Sequence, residues 1–225
     1  AEALPEPPAV VEIVPHLDAH VGHAPVALVV GGLAHVELPQ VLGVHQLGQG
    51  DVPALDPFVQ DRAAEAGIER VETDLADMHA VYETNVFGIV RVTNAFLHLL
   101  RRARAARIVN VSSEVGSVDC TTSDASPISS TQPVAQYPSS KAAVNMLTVQ
   151  DERELAETPI RVNAANPGLT DTDLTSHRGI RPVERDAEPI VHLATLPDDG
   201  PSGALYRHVW TREGDGDGGY GVLPW

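Results

Sequence analysis

A tyrosine and a lysine stand four residues apart in the stretch "YPSSK", residues 137–141. On a helix, residues with this spacing share one face, so we expect Tyr137 and Lys141 to lie side by side. A phenol has an ordinary pKa of about 10 and is a poor acid or base at neutral pH. A fixed ammonium nearby lowers that pKa because it stabilises the phenolate. The pair therefore predicts a site for proton transfer.

Lys141 is the only lysine in the 225 residues, and the other 14 of the 15 Lys and Arg residues are arginines. The broad guanidinium of arginine would not replace a compact ammonium that acts on a tyrosine and also reaches small hydroxyl groups. A second interpretation stays open, because a lone lysine on a helix is often a solvated surface charge.

Helices and strands alternate from about residue 74 onward, with the lengths typical of an α/β domain. Apolar residues with a 3.6-residue period predict helices, and short β-branched runs predict buried strands. The expected elements are a helix over 74–104, a strand over 107–113, a helix over 138–157, a strand followed by a loop over 160–168, a helix over 183–196 and a last strand within 203–210. This order predicts a doubly wound parallel sheet with helices on both faces.

Polar residues follow two of these strands. Ser112 and Ser113 end the first strand, a Pro-Gly pair ends the second, and Tyr137 opens the helix between them. Ligands of such sheets bind at the carboxyl ends of the strands. Ser113 could donate a hydrogen bond to a carbonyl substrate and stabilise the charge that develops on its oxygen. The same serine equally suits capping the turn that follows it.

Four short motifs, "YPSSK", "VNVSS", "TNVFG" and "NPGLTDT", resemble in sequence and order those of the short-chain dehydrogenases/reductases. The resemblance implies a Rossmann-like fold and an NAD(P)-dependent enzyme that reduces a carbonyl or oxidises an alcohol. It implies Tyr137 as general acid/base and Lys141 as the group that lowers its pKa and binds the nicotinamide ribose. Ser113 would orient the carbonyl, and Asn85 would hold a water that relays protons to Lys141.

The resemblance also implies where the cofactor lies. Pro167, Gly168 and Thr172 would border the nicotinamide, together with Tyr137 and Lys141. NADP is preferred over NAD by family analogy alone. A small-molecule carbonyl or alcohol is the expected substrate, and the chain is expected to be a monomer or a homodimer.

The composition excludes several classes of partner. A formal charge of −16 disfavours nucleic acid and anionic membranes, which are bound through clustered Lys and Arg. Cys120 is the only cysteine, so no disulfide forms within the chain and a reducing compartment fits. No apolar run reaches the roughly 18 residues that a spanning helix needs. We therefore expect a cytoplasmic protein.

The first 61 residues differ from the rest, since they contain eight Asp and Glu, five His and neither Lys nor Arg. The family opens with a glycine-rich turn that lets backbone N–H groups approach a pyrophosphate. The most similar stretch here, "VALVVGGLAHVE", has His35 and Glu37 where the later glycines are expected. We therefore predict an atypical segment over 1–61, with divergent or missing βα units, and a Rossmann-like catalytic region over 62–225.

Three explanations of residues 1–61 stay open. The segment is a divergent fold that still binds cofactor, a replacement that does not bind dinucleotide, or a stretch read out of frame or wrongly joined. The abrupt change of composition favours the third. It also keeps a second function open beside the enzyme, namely a non-catalytic remnant or scaffold that cannot bind dinucleotide.

Three other features give weaker evidence about function. His16, His20 and His23 would share one helix face and could hold zinc, but no further ligand completes the set, so no metal site is predicted. The stretch "GDGDGG", residues 214–219, is predicted to be a solvated turn rather than a calcium loop. The polar, proline-containing insert over 119–134 is predicted to be a loop above the substrate cleft, with Cys120 playing no chemical part.

Overall fold

The chain forms one six-stranded sheet within the part that its computed structural model describes. The described residues are 10–15, 26–31, 73–130, 133–172, 175, 177, 179, 182–208 and 219–225. The strands lie in chain order, from β1 at one edge to β6 at the other. They are β1 (Val10–Pro15), β2 (Val26–Gly31), β3 (Ala106–Val111), β4 (Ile160–Asn166), β5 (Leu205–His208) and β6 (Tyr220–Leu223).

The central four strands, β2 to β5, are parallel, and β1 and β6 add to the two edges in the antiparallel direction. The helices are α1 (Leu75–Tyr82), α2 (Gly88–Leu100), α3 (Val118–Thr122), α4 (Gln136–Leu155) and α5 (Val183–Ala194). No helix of the described ranges is both long and apolar enough to cross a membrane.

Helices cover both faces of the sheet, which confirms the predicted doubly wound α/β class. Side chains of a strand alternate between the two faces. Leu28 and Ile108 pack on α2 and α4, and their strand neighbours Ala27 and Val109 pack on α5. Parallel strands buried on both faces are apolar almost throughout, and all six residues of β3 are buried.

The long helix predicted over 74–104 is present but interrupted. Asp74 caps its start, since its carboxylate accepts a hydrogen bond from the Ala76 N–H at 2.8 Å. A π-helical turn over Glu83–Phe87 separates α1 from α2. The spacing of apolar residues does not reveal such a turn, because the π-helical turn is a single wider turn within an otherwise continuous helical pattern.

A buried arginine ties the amino end of β3 to the loop after α5. Arg107 is 1% exposed, and its Nε and Nη2 atoms donate to the Leu196 carbonyl at 3.0 and 2.6 Å. Nη2 also lies 3.2 Å from the Asp198 carboxylate. This anchor holds the end of the sheet opposite to the carboxyl edge, where the polar strand ends lie.

The predicted loop over 119–134 is wrong in part, because the segment contains the end of α3 and a 3-10 turn over Pro127–Ser130. The Ser117 hydroxyl caps α3, accepting from the Cys120 N–H at 3.1 Å. Cys120 packs with Ala164 and Leu205 under this segment. The insert is thus held against the sheet by a small apolar cluster, which its polar composition conceals.

One helix boundary and one strand differ from the expected elements. Helix α4 begins at Gln136, one residue before Tyr137, and Pro138 lies inside its first turn, where a missing N–H breaks no helical hydrogen bond. Strand β6 was not predicted at all. It is only four residues long and two of its side chains are exposed, so its sequence lacks a strong apolar signal.

Part of the first 61 residues joins the catalytic sheet, since β2 pairs with β3 in parallel. The turn that follows Gly31, with His35 and Glu37, lies outside the described residues. So do the histidine group at 16, 20 and 23 and most of the 214–219 stretch. The predictions made for them stay predictions.

Candidate active site

The carboxyl ends of β3 and β4 and the start of α4 meet at one edge of the sheet. Ser112 and Ser113 follow β3 directly, and Pro167 and Gly168 follow β4. Tyr137 is the second residue of α4. The topology thus brings together the polar positions that the sequence placed at strand ends.

Lys141 is buried at this edge, with 4% of its surface exposed, so its interpretation as a solvated surface charge is wrong. Its Nζ atom donates to the Val111 carbonyl at 2.9 Å and lies 5.4 Å from the centroid of the Tyr137 ring. Burial lowers the pKa of Lys141 to about 8, because the charged form loses water. An ammonium has three N–H donors, so two are left for a ligand.

The Tyr137 phenol lies beside the Ser113 side chain. Burial of the phenol raises the pKa of Tyr137 to about 12, and the Ser113 side chain acts in the lowering direction without overcoming it. The expectation of a lowered pKa for Tyr137 is not met, because burial outweighs the effects that stabilise the phenolate. Loss of hydration at the phenol is the larger effect. Tyr137 is therefore a neutral phenol at physiological pH.

Ser113 caps the turn that follows it, as one of its two interpretations predicted. Its backbone is extended, with φ −158° and ψ 151°, and its hydroxyl accepts from the Val115 N–H at 3.4 Å as the cap of the 3-10 turn Glu114–Gly116. The same side chain lies beside the Tyr137 phenol. The cap fixes where the hydroxyl lies relative to the phenol.

Asn85 lies in the π-helical turn and reaches α4 next to Lys141. Its Nδ2 atom donates to the Ser140 hydroxyl at 3.0 Å, and that hydroxyl donates to the Tyr137 carbonyl at 2.7 Å. Turns of this kind are frequent at functional sites, because they turn one side chain inward without ending the helix. Asn85 is thus joined to the first turn of α4.

Pro167, Gly168 and Thr172 lie in the loop after β4, at the same edge as Tyr137. Gly168 has a positive φ of 97°, a conformation that side chains with a Cβ rarely adopt. Its N–H donates to the Asn166 side-chain oxygen at 3.3 Å, and the Thr172 N–H donates to the Thr175 hydroxyl at 3.2 Å. The loop is thus folded by its own hydrogen bonds.

Gly116 is a site residue that the motifs did not reveal. A Cβ built on it would lie 2.5 Å from the Lys141 carbonyl carbon and 2.6 Å from the Ala142 nitrogen. The turn after Ser113 therefore rests directly on the backbone of α4 at Lys141. Only a residue without a side chain permits this approach.

We expect Gly116→Ala to lower both stability and any activity of the site. The added methyl must push the turn away from α4, which costs about 1–3 kcal/mol for overpacking and moves Ser113 with the turn. Urea denaturation measures the first effect. Val118→Ala is the control, because Val118 lies two residues away and is 69% exposed. Equal stability of the two variants would contradict the close contact.

Parallel strands with helices on both faces, and a tyrosine, a lysine and a serine at their carboxyl edge, give a Rossmann-like α/β protein with a polar site at the strand ends. The sequence profile described as short chain dehydrogenase matches residues 52–181, more than half of the chain. This chain belongs to the short-chain dehydrogenase family.

Several curated relatives carry the same resemblance. A short-chain dehydrogenase of Penicillium roqueforti is 35% identical in an alignment of 158 residues that covers 64% of this chain and 63% of the relative. The (+)-neomenthol dehydrogenase of Capsicum annuum is 30% identical over 55% of this chain and 49% of its own length. The chain thus spans about half to just under two thirds of these relatives. An NADPH-bound carbonyl reductase from chicken fatty liver is 27% identical, with a TM-score of 0.49 and coverage of 77% of this chain and 75% of that one.

Proposed function

We propose that this chain is an oxidoreductase that uses a nicotinamide cofactor to reduce a small-molecule carbonyl or to oxidise the corresponding alcohol. The observation that supports this most directly is the position of the Tyr137 phenol beside the Ser113 side chain, with the buried ammonium of Lys141 5.4 Å from the centroid of its ring. Lys141 has no carboxylate partner among the described residues, and an unpaired buried cation is rare in a protein interior. Its position beside a phenol gives it a chemical reason to be there.

The raised pKa of Tyr137 favours the reductive direction. With a pKa of about 12, the phenol keeps its proton at neutral pH. A neutral phenol can donate that proton to the oxygen of a carbonyl as its carbon is reduced, while the Ser113 hydroxyl donates a hydrogen bond to the same oxygen. The nearby ammonium of Lys141 stabilises the phenolate that remains. Alcohol oxidation needs the phenolate at the start and therefore becomes faster at higher pH.

The residues at this edge fit the nicotinamide end of the cofactor. Lys141 has N–H donors left for ribose hydroxyls, and the bare backbone at Gly168 permits a close approach. When bound, the nicotinamide would supply the hydride. Tyr137, Pro167 and Thr172 complete the proposed contacts. The described residues supply no glycine-rich turn for the pyrophosphate.

The finer features of the proposal rest on family analogy. NADP is preferred over NAD, Asn85 holds a water that passes protons to Lys141, and the protein acts in the cytoplasm as a monomer or homodimer. The division into an atypical segment over 1–61 and a catalytic region over 62–225 is retained as part of the proposal, with β2 contributed to the sheet by the first of the two.

Nucleotide binding and turnover test the proposal together. We expect NADPH or NADH to raise the melting temperature of the purified chain, and to be consumed when ketones and aldehydes of increasing size are added. Fluorescence of the reduced nicotinamide follows both steps. If neither nucleotide binds at millimolar concentration, the chain is a non-catalytic remnant or scaffold and the proposed function is wrong.

A further inference from the structure

Four buried polar side chains join β3 to α4 behind the candidate site. Ser112 donates to the Asn145 side-chain oxygen at 2.5 Å, and the Asn110 Nδ2 atom donates to the Thr148 hydroxyl at 2.9 Å. Each of the four is at most 4% exposed. We call Asn110, Ser112, Asn145 and Thr148 the polar ladder.

The polar ladder continues the contacts of Lys141 along the same two elements. Residues 110 and 112 share one face of β3, and residues 141, 145 and 148 share one face of α4. The Lys141 Nζ atom bonds the Val111 carbonyl, and the Ser112 hydroxyl also lies 3.4 Å from the Lys141 carbonyl oxygen. Asn145 thus lies one turn of α4 beyond Lys141.

Apart from the polar ladder and the Lys141–Val111 bond, β3 and α4 are in apolar contact. Ile108 packs there with Val144 and Leu155. Apolar contacts are non-directional, so they hold the helix on the sheet without fixing its position along its own axis. Hydrogen bonds have narrow ranges of distance and angle and therefore do fix it.

Two atoms of the polar ladder have no hydrogen-bond partner among the described residues, namely Asn110 Oδ1 and Asn145 Nδ2. Burying such atoms unpaired is costly, and apolar side chains of similar shape would avoid that cost. An interface that served stability alone would not favour this arrangement. Buried asparagines are known instead as groups that specify the register between packed helices, at some cost in stability.

We propose that Ser112 and Asn145 are positioning residues that set the axial register of α4 on β3, so that Tyr137 and Lys141 meet Ser113. The proposal rests on the proposed function, because it assigns the register a role in that reaction. The Ser112–Asn145 bond fixes α4 one turn beyond Lys141. The Asn110–Thr148 bond fixes the same helix about one turn further along.

Asn145→Leu tests the proposal, because leucine has a similar size and cannot hold Ser112. We expect kcat for NADPH-dependent carbonyl reduction to fall about 10- to 100-fold, as for a displacement of roughly 1 Å in a catalytic group. KM for the carbonyl and the melting temperature should change little. Ser112→Ala should reproduce the loss, and Ser112→Thr, which retains the hydroxyl, should restore most of the rate.

Asn163→Leu is the matched control. Asn163 is an equally buried asparagine on β4, but it bonds the Pro201 carbonyl and the Ala204 N–H, away from α4. This variant should lose stability and keep kcat per folded molecule. Equal losses of kcat in Asn145→Leu and Asn163→Leu would overturn the proposal, since they would indicate general loosening of the core.

A second measurement does not depend on activity. Because Lys141 is the only lysine, 13C labelling at its ε carbon gives a single NMR signal whose pH titration reports the surroundings of the ammonium. We expect its midpoint to shift in Asn145→Leu and in Ser112→Ala, but not in Asn163→Leu. An unchanged midpoint in both ladder variants would overturn the proposal. If the wild-type chain reduces no carbonyl and the midpoint still shifts, the proposed function fails and the positioning of Lys141 stands.

Discussion

Tyr137→Phe is expected to reduce the rate of carbonyl reduction about 100- to 10,000-fold, the range for removal of a general acid. The variant loses the hydroxyl that lies beside Ser113 and donates the proton in the proposed reaction. The ring itself remains, so its packing beside Lys141 is preserved. Nucleotide affinity should therefore stay within a few fold. Stopped-flow absorbance of the reduced nicotinamide, combined with a fluorescence titration, separates the two effects.

Tyr206→Phe is the matched control for that experiment. Burial also raises the pKa of Tyr206, which lies on β5 in the cluster under α5. This tyrosine is outside the candidate site, so its removal should leave turnover unchanged. Retained turnover in Tyr137→Phe, or an equal loss in both variants, would refute the role assigned to Tyr137.

The parts of the fold that the sequence predicted correctly are those specified by local patterns. The β-branched run of β3 and the 3.6-residue period of α2 each require burial of particular faces, whatever else surrounds them. The four-residue spacing of Tyr137 and Lys141 likewise needs only a helix to bring both to one face. These elements and this pair could be placed before any tertiary contact was known.

The electrostatic state of the pair could not be predicted in this way. Proximity suggested a lowered pKa for Tyr137, but the balance depends on how much water the surrounding elements remove, and here that effect is larger. The contact at Gly116 also depends on tertiary structure, since no local pattern indicates that a turn will rest on the α4 backbone.

The polar ladder has a recognisable pattern in the sequence. Asn110 and Ser112 are two residues apart, in and just after a strand whose other residues beyond Arg107 are apolar, and Asn145 and Thr148 follow Lys141 at helical spacing on one face. Polar residues with the period of a buried face indicate a buried polar contact. The pattern becomes specific only when β3 and α4 are known to be neighbours.

Lys141→Met is expected to abolish activity and to stabilise the fold. Burial lowers the pKa of Lys141 from 10.5 to about 8, which corresponds to a cost of about 3 kcal/mol for keeping the ammonium charged in the folded state at neutral pH. Methionine removes that cost, though it also leaves the Val111 carbonyl without its bond, worth about 1 kcal/mol. The net gain in the free energy of unfolding is therefore about 1–2 kcal/mol.

The pH dependence of this gain distinguishes it from better packing. Between about pH 8 and 10.5 the unfolded chain binds the lysine proton and the folded chain does not, so wild-type stability rises with pH in that window. The gain of Lys141→Met should thus be largest below pH 8 and shrink towards pH 10.5. Arg107→Met is the contrast, because Arg107 is a buried cation whose donors meet the Leu196 carbonyl and the Asp198 carboxylate, and its removal should destabilise. Urea denaturation from pH 6 to 10 measures both variants. If the Lys141→Met protein is less stable than wild type at pH 7, Lys141 serves the stability of the fold. If the variant is more stable and inactive, Lys141 lowers the stability of the fold and serves the chemistry beside Tyr137.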